Sequence, residues 1–565
     1  MAKGHKQTDL QGLPACAAEF IKRVIEKMRY RRKVREDVQT ELAGHFEDEL
    51  KGCSSGEERE QKARQLIIHF GDAKLLAVLL RRAKKRCRPV WRTVVVRTFQ
   101  TVGVLILCFI LYTIWFISGK PTVRVDYLAQ FNQMSRPQVS DKDNAWPYYE
   151  KALELFVKPG EELQQMPAYM NWKESGYRKF ATLTDEEKQA IEKWVRQNEA
   201  SWQKFAAASL RPYCHRQYTI EEGNILLAIG LPHIATLRDL GKVGVWRSRI
   251  KMEQGETAGA LDDCLTIARA GSNWQGRRTI VEQLVGLAMV NAGHDEILNI
   301  VSTKDISAAD MKKLQQQLSQ IYQTGYPLMD IEGERLLFWD IVQHTFTDGG
   351  LGGGHLIPSR LAFVADAFDI GFGSKELILC TAIGLVHAGR NNTIAKFNEI
   401  FDKQIETAKM TPYERHAGKA LHDEKIFLAS SKYRYSLIDI FMPALDRACE
   451  YAYKVRALHE ATETILALRR WQLEKGQYPM SLSELVAAGY MEKVPMDPYS
   501  DNALVYRKVD DDFTIYSIGE NFTDDGGKVL IKGGEITRWG DNEDGGDCVF
   551  WPVPKSQVKV SSGGL

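Results

Sequence analysis

Six carboxylates crowd a Gly-rich stretch late in the chain: Asp524, Asp525, Asp541, Glu543, Asp544 and Asp547. Hard oxygen ligands on tight turns are what Ca²⁺ takes, so these six are the candidate metal ligands. The strict EF-hand spacing is absent, and a solvated acidic loop is the alternative reading. A bound Ca²⁺ would be structural, tying down carboxylates that otherwise repel. His344, Asp348 and His355 form a second group beside the run Asp348-Gly349-Gly350-Leu351-Gly352-Gly353-Gly354-His355, but their spacing fits no standard metal site. That run lacks the Gly-Lys-Ser/Thr ending of a phosphate loop and reads as a mobile connection between helices. Gly333-Glu334-Arg335 reads as a buried or surface ion pair. Gly-x-Ser-x-Gly and His-Glu-x-x-His are both absent, and His459-Glu460 has no second His one turn on. The remaining enzymatic reading is a hydrolase using dispersed carboxylates.

The element that must position everything else is Thr98 to Ser118, an uncharged apolar run of about the length that crosses a bilayer. A core helix is the alternative. A basic collar precedes it: Arg81, Arg82, Lys84, Lys85, Arg86, Arg88, Arg92 and Arg97. Only Lys120 and Arg124 follow closely. Lys/Arg excess marks the cytoplasmic side, so residues 1–97 are expected inside and 119–565 across the cell (inner) membrane. No continuous apolar core precedes residue 98, and the span reads as an uncleaved signal anchor. The formal charge of +2 hides a division. Residues 1–97 carry 23 basic and 13 acidic side chains, whereas residues 497–547 carry 5 and 13. The basic excess abuts the span, where it suits anionic headgroups, and no recognition motif around it supports nucleic-acid binding. The nine cysteines are scattered singly, without a Cys-x-x-Cys pair, which removes metal clusters and thioredoxin-like motifs. Five lie beyond the span, an odd number, and most read as small buried hydrophobes.

Residues 17–30 and 32–50 predict two amphipathic helices, the second with Val34, Val38, Leu42, Phe46 and Leu50 at i+4. Ser54/Glu57 and Ser55/Glu58 offer overlapping capping boxes for a third helix, and Asp72 caps a fourth. Glu41-Leu42, His45, Glu47-Asp48-Glu49-Leu50, Ser55-Gly56-Glu57-Glu58 and Phe70-Gly71-Asp72-Ala73 follow in order. This order resembles the bacterial HAAS-type prefix domain over roughly residues 19–86. The resemblance implies an intracellular interaction or signalling module ahead of a membrane segment. His45 and His69 read as ordinary polar or packed side chains.

Beyond a polar linker, nearly everything to residue 475 predicts helix. Thr184 and Ser307 each open a helix, and Ile225–Glu253, Glu256–Ala270 and Thr279–Ile300 read as stacked antiparallel helices. MEQGETAGALDDCLTIARA resembles the second half of a tetratricopeptide unit, and Tyr148 to Phe156 hints at another. No fixed period recurs, so an irregular helical solenoid or bundle is expected, with concave faces for partners. Trp146, Trp172, Trp194, Trp202, Trp246, Trp274 and Trp339 could line a groove, although helical phasing favours core packing. Ile378 to Val386 is apolar but too short to span a bilayer, and is expected to be buried.

A helix from about Asp446 to Glu474 should stop at Gly476, and a capped short helix should follow Ser481. ALVYRK and FTIYSI alternate like two strands of a hairpin turning at Asp510-Asp511-Asp512. Gly476-Gln477-Tyr478-Pro479, Leu482, Leu485, Pro495-Met496-Asp497-Pro498, Tyr506, Phe513, Ile515-Tyr516-Ser517-Ile518-Gly519 and Asp524-Asp525-Gly526-Gly527 carry a resemblance to the head of the type II secretion major pseudopilin. It covers roughly residues 455–551. In that family a late loop binds calcium, which matches the acidic residues above. The processing site and greasy N-terminal helix of a pilin are missing, since Asp439, Asp446 and Arg447 stand in that region. Ordinary assembly into a pilus is therefore not expected.

The expected fold class is mainly α. Residues 1–90 form a cytoplasmic helical prefix, 98–118 a transmembrane helix and 119–445 an extracytoplasmic helical body. Residues 446–551 form a small α+β pseudopilin-like domain and 552–565 a flexible tail. The order resembles that of a large group of bacterial single-pass membrane proteins without an assigned activity. The expected role is a membrane-anchored binding or scaffold protein, touching lipid and protein partners on the outer side and at the prefix. An accessory of a type II secretion or pilus-like assembly is the runner-up.

Overall fold

The computed structural model describes residues 10–86, 90–137, 141–166, 169, 180–322, 329–361, 364, 374–418, 433–532, 535–536, 538–539 and 545–554. The expected tail thus lies almost wholly outside the described residues. The fold is mainly helical and divides into two compact units, Met1–Trp115 and Phe116–Leu565.

In the first unit, helices span Ala15–Lys27, Arg32–Leu50, Gly56–Phe70 and Ala73–Arg86. Local chemistry sets their ends. Glu58 donates its backbone N–H to Ser55 Oγ (3.3 Å) and returns its carboxylate to the Ser54 N–H (3.0 Å). Asp72 accepts from the N–H groups of Lys74 and Leu75 at 2.8 and 2.9 Å. Gly71 closes the preceding helix at φ 75°. The helices meet around Phe20, Phe46 and Phe70, whose ring centroids lie 5.5–6.3 Å apart. His45 sits edge-on to Phe70, and His69 is exposed on the surface. The next helix runs Val90–Ile117. Its stretch Val94–Ile117 is long and apolar enough to cross a membrane, and none of its most apolar window is buried. This stretch begins four residues before the expected Thr98.

In the second unit, Pro232–Glu253, Thr257–Ser272 and Ile280–Thr303 pack as consecutive helices. Glycine permits their closeness. A Cβ on Gly271 or Gly286 would strike the carbonyl oxygen of the other, and one on Gly293 would meet the Cys264 oxygen at 2.7 Å. Thr184 and Thr279 both form complete capping boxes, and Ser307 caps Ala308–Ser319. Trp194, Trp202, Trp246 and Trp274 are buried in the core, while Trp172 lies outside the described residues.

A 40-residue helix, Ser436–Lys475, runs through the boundary expected at residue 445 and begins ten residues before Asp446. At about 1.5 Å per residue it is roughly 60 Å long. Its first half packs with Phe338, Phe397 and Phe401. Its second half packs with Ile297, Leu314 and the strand residues Phe513, Ile515 and Phe550. Gly476 ends it at φ 77°, with its N–H on the Gln472 oxygen. The hairpin is Val505–Val509 against Asp512–Ser517, and Asp510 takes the left-handed conformation (φ 48°) that a short polar side chain tolerates. Cys548–Trp551 adds antiparallel to the second strand, with an irregularity at Ile515/Tyr516.

One expectation fails, and a second holds only in part. The apolar segment expected in the core forms the helix Ser374–Val386, with Leu379, Leu385 and Val386 exposed. Glu334 is buried, but Arg335 pairs with Glu332 and Asp402, and the Glu334 carboxylate instead accepts the Ile280 N–H at 2.9 Å. Low aqueous exposure was the wrong inference from apolar composition in the first case. In the second, a backbone donor from another helix won over the neighbouring side chain.

Candidate functional site

The long helix places His459, Glu460 and Glu463 on adjoining positions, with His459 and Glu463 one turn apart. Ala308–Ser319 lies against it and contributes Lys312, Gln315, Gln316 and Ser319, one face at i, i+3, i+4 and i+7. The third wall is the turn after Leu482–Ala487, where Gly489 (φ 74°) reverses the chain and Tyr490 donates its N–H to Leu485. Between these walls is a cleft of about 380 Å³ that also touches Arg470, Glu492 and Lys493. Its frame is fixed by two hydrogen bonds. Gln315 Nε2 donates to the Tyr490 oxygen at 2.9 Å, and Arg470 Nη1 donates to Gln315 Oε1 at 2.9 Å. The Arg470 guanidinium also lies 4.2 Å from the Tyr490 ring centroid.

Behind the cleft, a chain of imidazoles has a fixed polarity. His294 Nδ1 is 2.8 Å from the Val290 carbonyl oxygen, which can only accept. His294 Nε2 is therefore an acceptor and takes the proton of His459 Nδ1 at 2.8 Å. His459 Nε2 is then an acceptor too, 3.5 Å from Glu463 Oε2. Burial holds His294 down to about 4, and burial with the neighbouring His294 pushes His459 well below the usual imidazole range. Both rings are neutral near pH 7, so the contact with Glu463 is not an ion pair. Burial, Glu460 and Glu492 together push Glu463 up to about 7. A protonated Glu463 is the proper donor for His459 Nε2. Glu460, by contrast, has Arg456 Nε at 3.4 Å and Lys493 Nζ at 3.9 Å. The cleft thus holds one carboxyl near neutrality beside one with cationic partners.

A second buried carboxylate shows the opposite arrangement. Glu282 accepts from Tyr218 Oη (2.7 Å), Thr279 Oγ1 (2.8 Å) and Arg216 Nε (3.3 Å), with His233 Nε2 at 3.2 Å. Burial favours its neutral form, but the His233 hydrogen bond and the charges of Arg278 and Arg216 prevail, and it is held at about 2.

The sequence-derived candidates lie elsewhere. Asp524 accepts from Tyr516 Oη (2.8 Å), the Gly526 N–H (2.9 Å) and Arg507 Nη2 (2.9 Å). Asp525 accepts from Asn521 Nδ2 (2.8 Å) and the Gly546 N–H (2.6 Å). Asp547 accepts the N–H groups of Asp525 (3.1 Å) and Gly527 (2.6 Å). The acidic loop is thus brought together by donors. Asp541, Glu543 and Asp544 lie outside the described residues. No group of three or more His, Cys, Asp or Glu placed to hold a metal ion occurs among the described residues. His344 lies 3.7 Å from Asp340, Asp348 pairs with Arg124 and Arg390, and His355 Nε2 faces the Phe116 oxygen at 3.1 Å. Of the collar, Arg81, Arg82, Lys85 and Arg97 are exposed and Lys84 reaches Glu41 at 2.5 Å. Arg86 and Arg92 belong to the flanking helices, and Arg88 lies outside the described residues. The eight described free cysteines include Cys214, Cys264, Cys449 and Cys548, all buried.

His294 is the residue that sequence reading missed. The second His wanted near His459-Glu460 comes from another helix, 165 positions away. Its only local signal is a His set within an apolar helix. Comparison with protein-family models, curated proteins and solved structures returned no match.

Proposed function

We propose that the protein is anchored in the cell membrane by the Val94–Ile117 helix, with residues 1–90 cytoplasmic and the helical body extracytoplasmic, and that it binds a partner there. The observation that carries the binding role is the cleft with Glu463. A carboxyl poised near neutrality can donate to a carbonyl when protonated and accept when not, so binding would respond to pH. Lys312, Lys493 and Gln316 add cations and an amide, a lining suited to an extended polar segment of another protein. The prefix would serve as the interaction or signalling module on the inner side. The collar would meet anionic lipid.

The test is to purify the full chain and a Lys312→Glu/Lys493→Glu variant in mild detergent and compare what accompanies each. Loss of a specific protein from the variant is expected, and an unchanged set would refute the cleft as the binding site. Secretion-system components among the lost proteins would favour the accessory role suggested by the pseudopilin-like end.

A hydrolytic reading has one observation of its own. Glu463 near 7 beside cation-paired Glu460 is the division of labour that an acid and a base need. The same variant approach applies with Glu463→Gln, and retained turnover of any substrate found would remove that role. Structural Ca²⁺ at the acidic loop is tested by melting the full chain with and without chelator. An unchanged midpoint would remove the metal.

A further inference from the structure

From Leu377 to Val386 the sequence carries no charge, yet the helix it forms keeps Leu379 at 59%, Leu385 at 37% and Val386 at 56% exposure. Large aliphatic side chains left in water forfeit the gain that burial brings. Leu379, Ala382 and Val386 stand at i, i+3 and i+7 and so form one stripe, with Leu385 beside it. The opposite side of the helix is occupied. A Cβ on Gly384 would meet the Phe116 ring at 3.2 Å and Pro358 at 3.3 Å. Phe116 is 2% exposed and belongs to the last turn of the Val94–Ile117 span. It is pinned there by His355, which stacks on its ring at 4.4 Å and reaches its carbonyl oxygen.

The inner side of this helix therefore rests on the residue where the span ends, while its outer stripe has no cover among the described residues. Thirteen residues give about 20 Å, too short to cross a bilayer of about 30 Å. We propose that Ser374–Val386 lies in the headgroup region of the same bilayer, with Leu379, Ala382, Leu385 and Val386 among the acyl chains. The anchor then has two parts, one that crosses the bilayer and one that lies at its surface. This inference rests on reading Val94–Ile117 as the span.

The test uses the full chain in vesicles of phosphatidylcholine and phosphatidylglycerol, with a diazirine amino acid placed singly at Leu379, Val386, Leu105 or Met480. Leu105 lies in the span, and Met480 is an exposed control far along the chain. Lipid adducts at 379 and 386 several-fold above the 480 level, alongside adducts at 105, are expected. Adducts at 105 with only the 480 level at 379 and 386 would overturn the interfacial helix and leave the span standing. Protein–protein adducts at 379 and 386 in place of lipid would also overturn it. Loss of lipid adducts at 105 as well would overturn the reading of the span itself.

Discussion

Glu282 and Glu463 are both withdrawn from water in the same unit, and they hold their protons in opposite ways. Around Glu282 the body has assembled a tyrosine, a threonine, an arginine and a histidine within hydrogen-bond range, and the carboxylate stays ionised down to about 2. Around Glu463 it has placed two other glutamates and a pair of neutral imidazoles, and the group stays protonated up to about 7. The first arrangement satisfies a charge completely and leaves it nothing to exchange. The second leaves a proton available at the edge of a cleft. Burial alone therefore does not mark a working carboxyl. The partners decide, and of these two only Glu463 is kept near neutrality.

The largest expected effect is at the satisfied site. Glu282→Ala strands Arg216 and Arg278 beside a void, and should cost about 3–5 kcal/mol in denaturant unfolding of the detergent-solubilised chain. A cost below about 1 kcal/mol would mean that the network is not holding the helices together. Next comes Glu463→Gln. The folded value of Glu463 is raised from 4.5 to about 7, so its contribution is intact below 4.5 and is lost as pH rises through 7. Gln cannot ionise, so the variant should gain on the wild type across that window, by about 2–3 kcal/mol at its upper end. A pH-independent difference would contradict the assignment. On the acid side the direction reverses. His294 is depressed from 6.5 to about 4, so its share of stability is present above 6.5 and is lost as pH falls through 4.

Tyr218→Phe removes one donor from Glu282 and should cost about 1–2 kcal/mol, less than the alanine variant because the other donors remain. The smallest effect is expected from Lys493→Gln. Lys493 lowers the Glu463 value from an exposed position, so its loss should raise the Glu463 titration slightly and leave unfolding unchanged. A large stability loss there would mean that the cleft is held by its rim charges.

What could be read from the sequence was what neighbours settle. Ser55, Asp72, Thr184 and Ser307 cap helices because their partners lie two or three residues away. Gly476 and the Asp510 turn were legible for the same reason. The prefix core followed from one helical periodicity. The cleft was not legible, because His294 meets His459 across 165 positions and no spacing rule reaches that far. Apolar composition alone could not separate a core from an uncovered surface, so Leu379 and Val386 were placed in the wrong environment. The acidic loop showed the converse. Its carboxylates were evident, but the donors facing them, such as Arg507 and the Gly546 N–H, belong to strands and turns met only in the fold.

The proton at Glu463 sets the character of the cleft. Infrared titration of the carboxyl C=O band, taken as wild type minus Glu463→Gln in the full chain, isolates that one group from Glu334, which burial also raises to about 7. A difference band that disappears with a midpoint near 7 is the expected result. A midpoint near the ordinary 4.5 would show an ionised Glu463 at neutral pH, and would contradict both the neutral cleft and the binding role built on it.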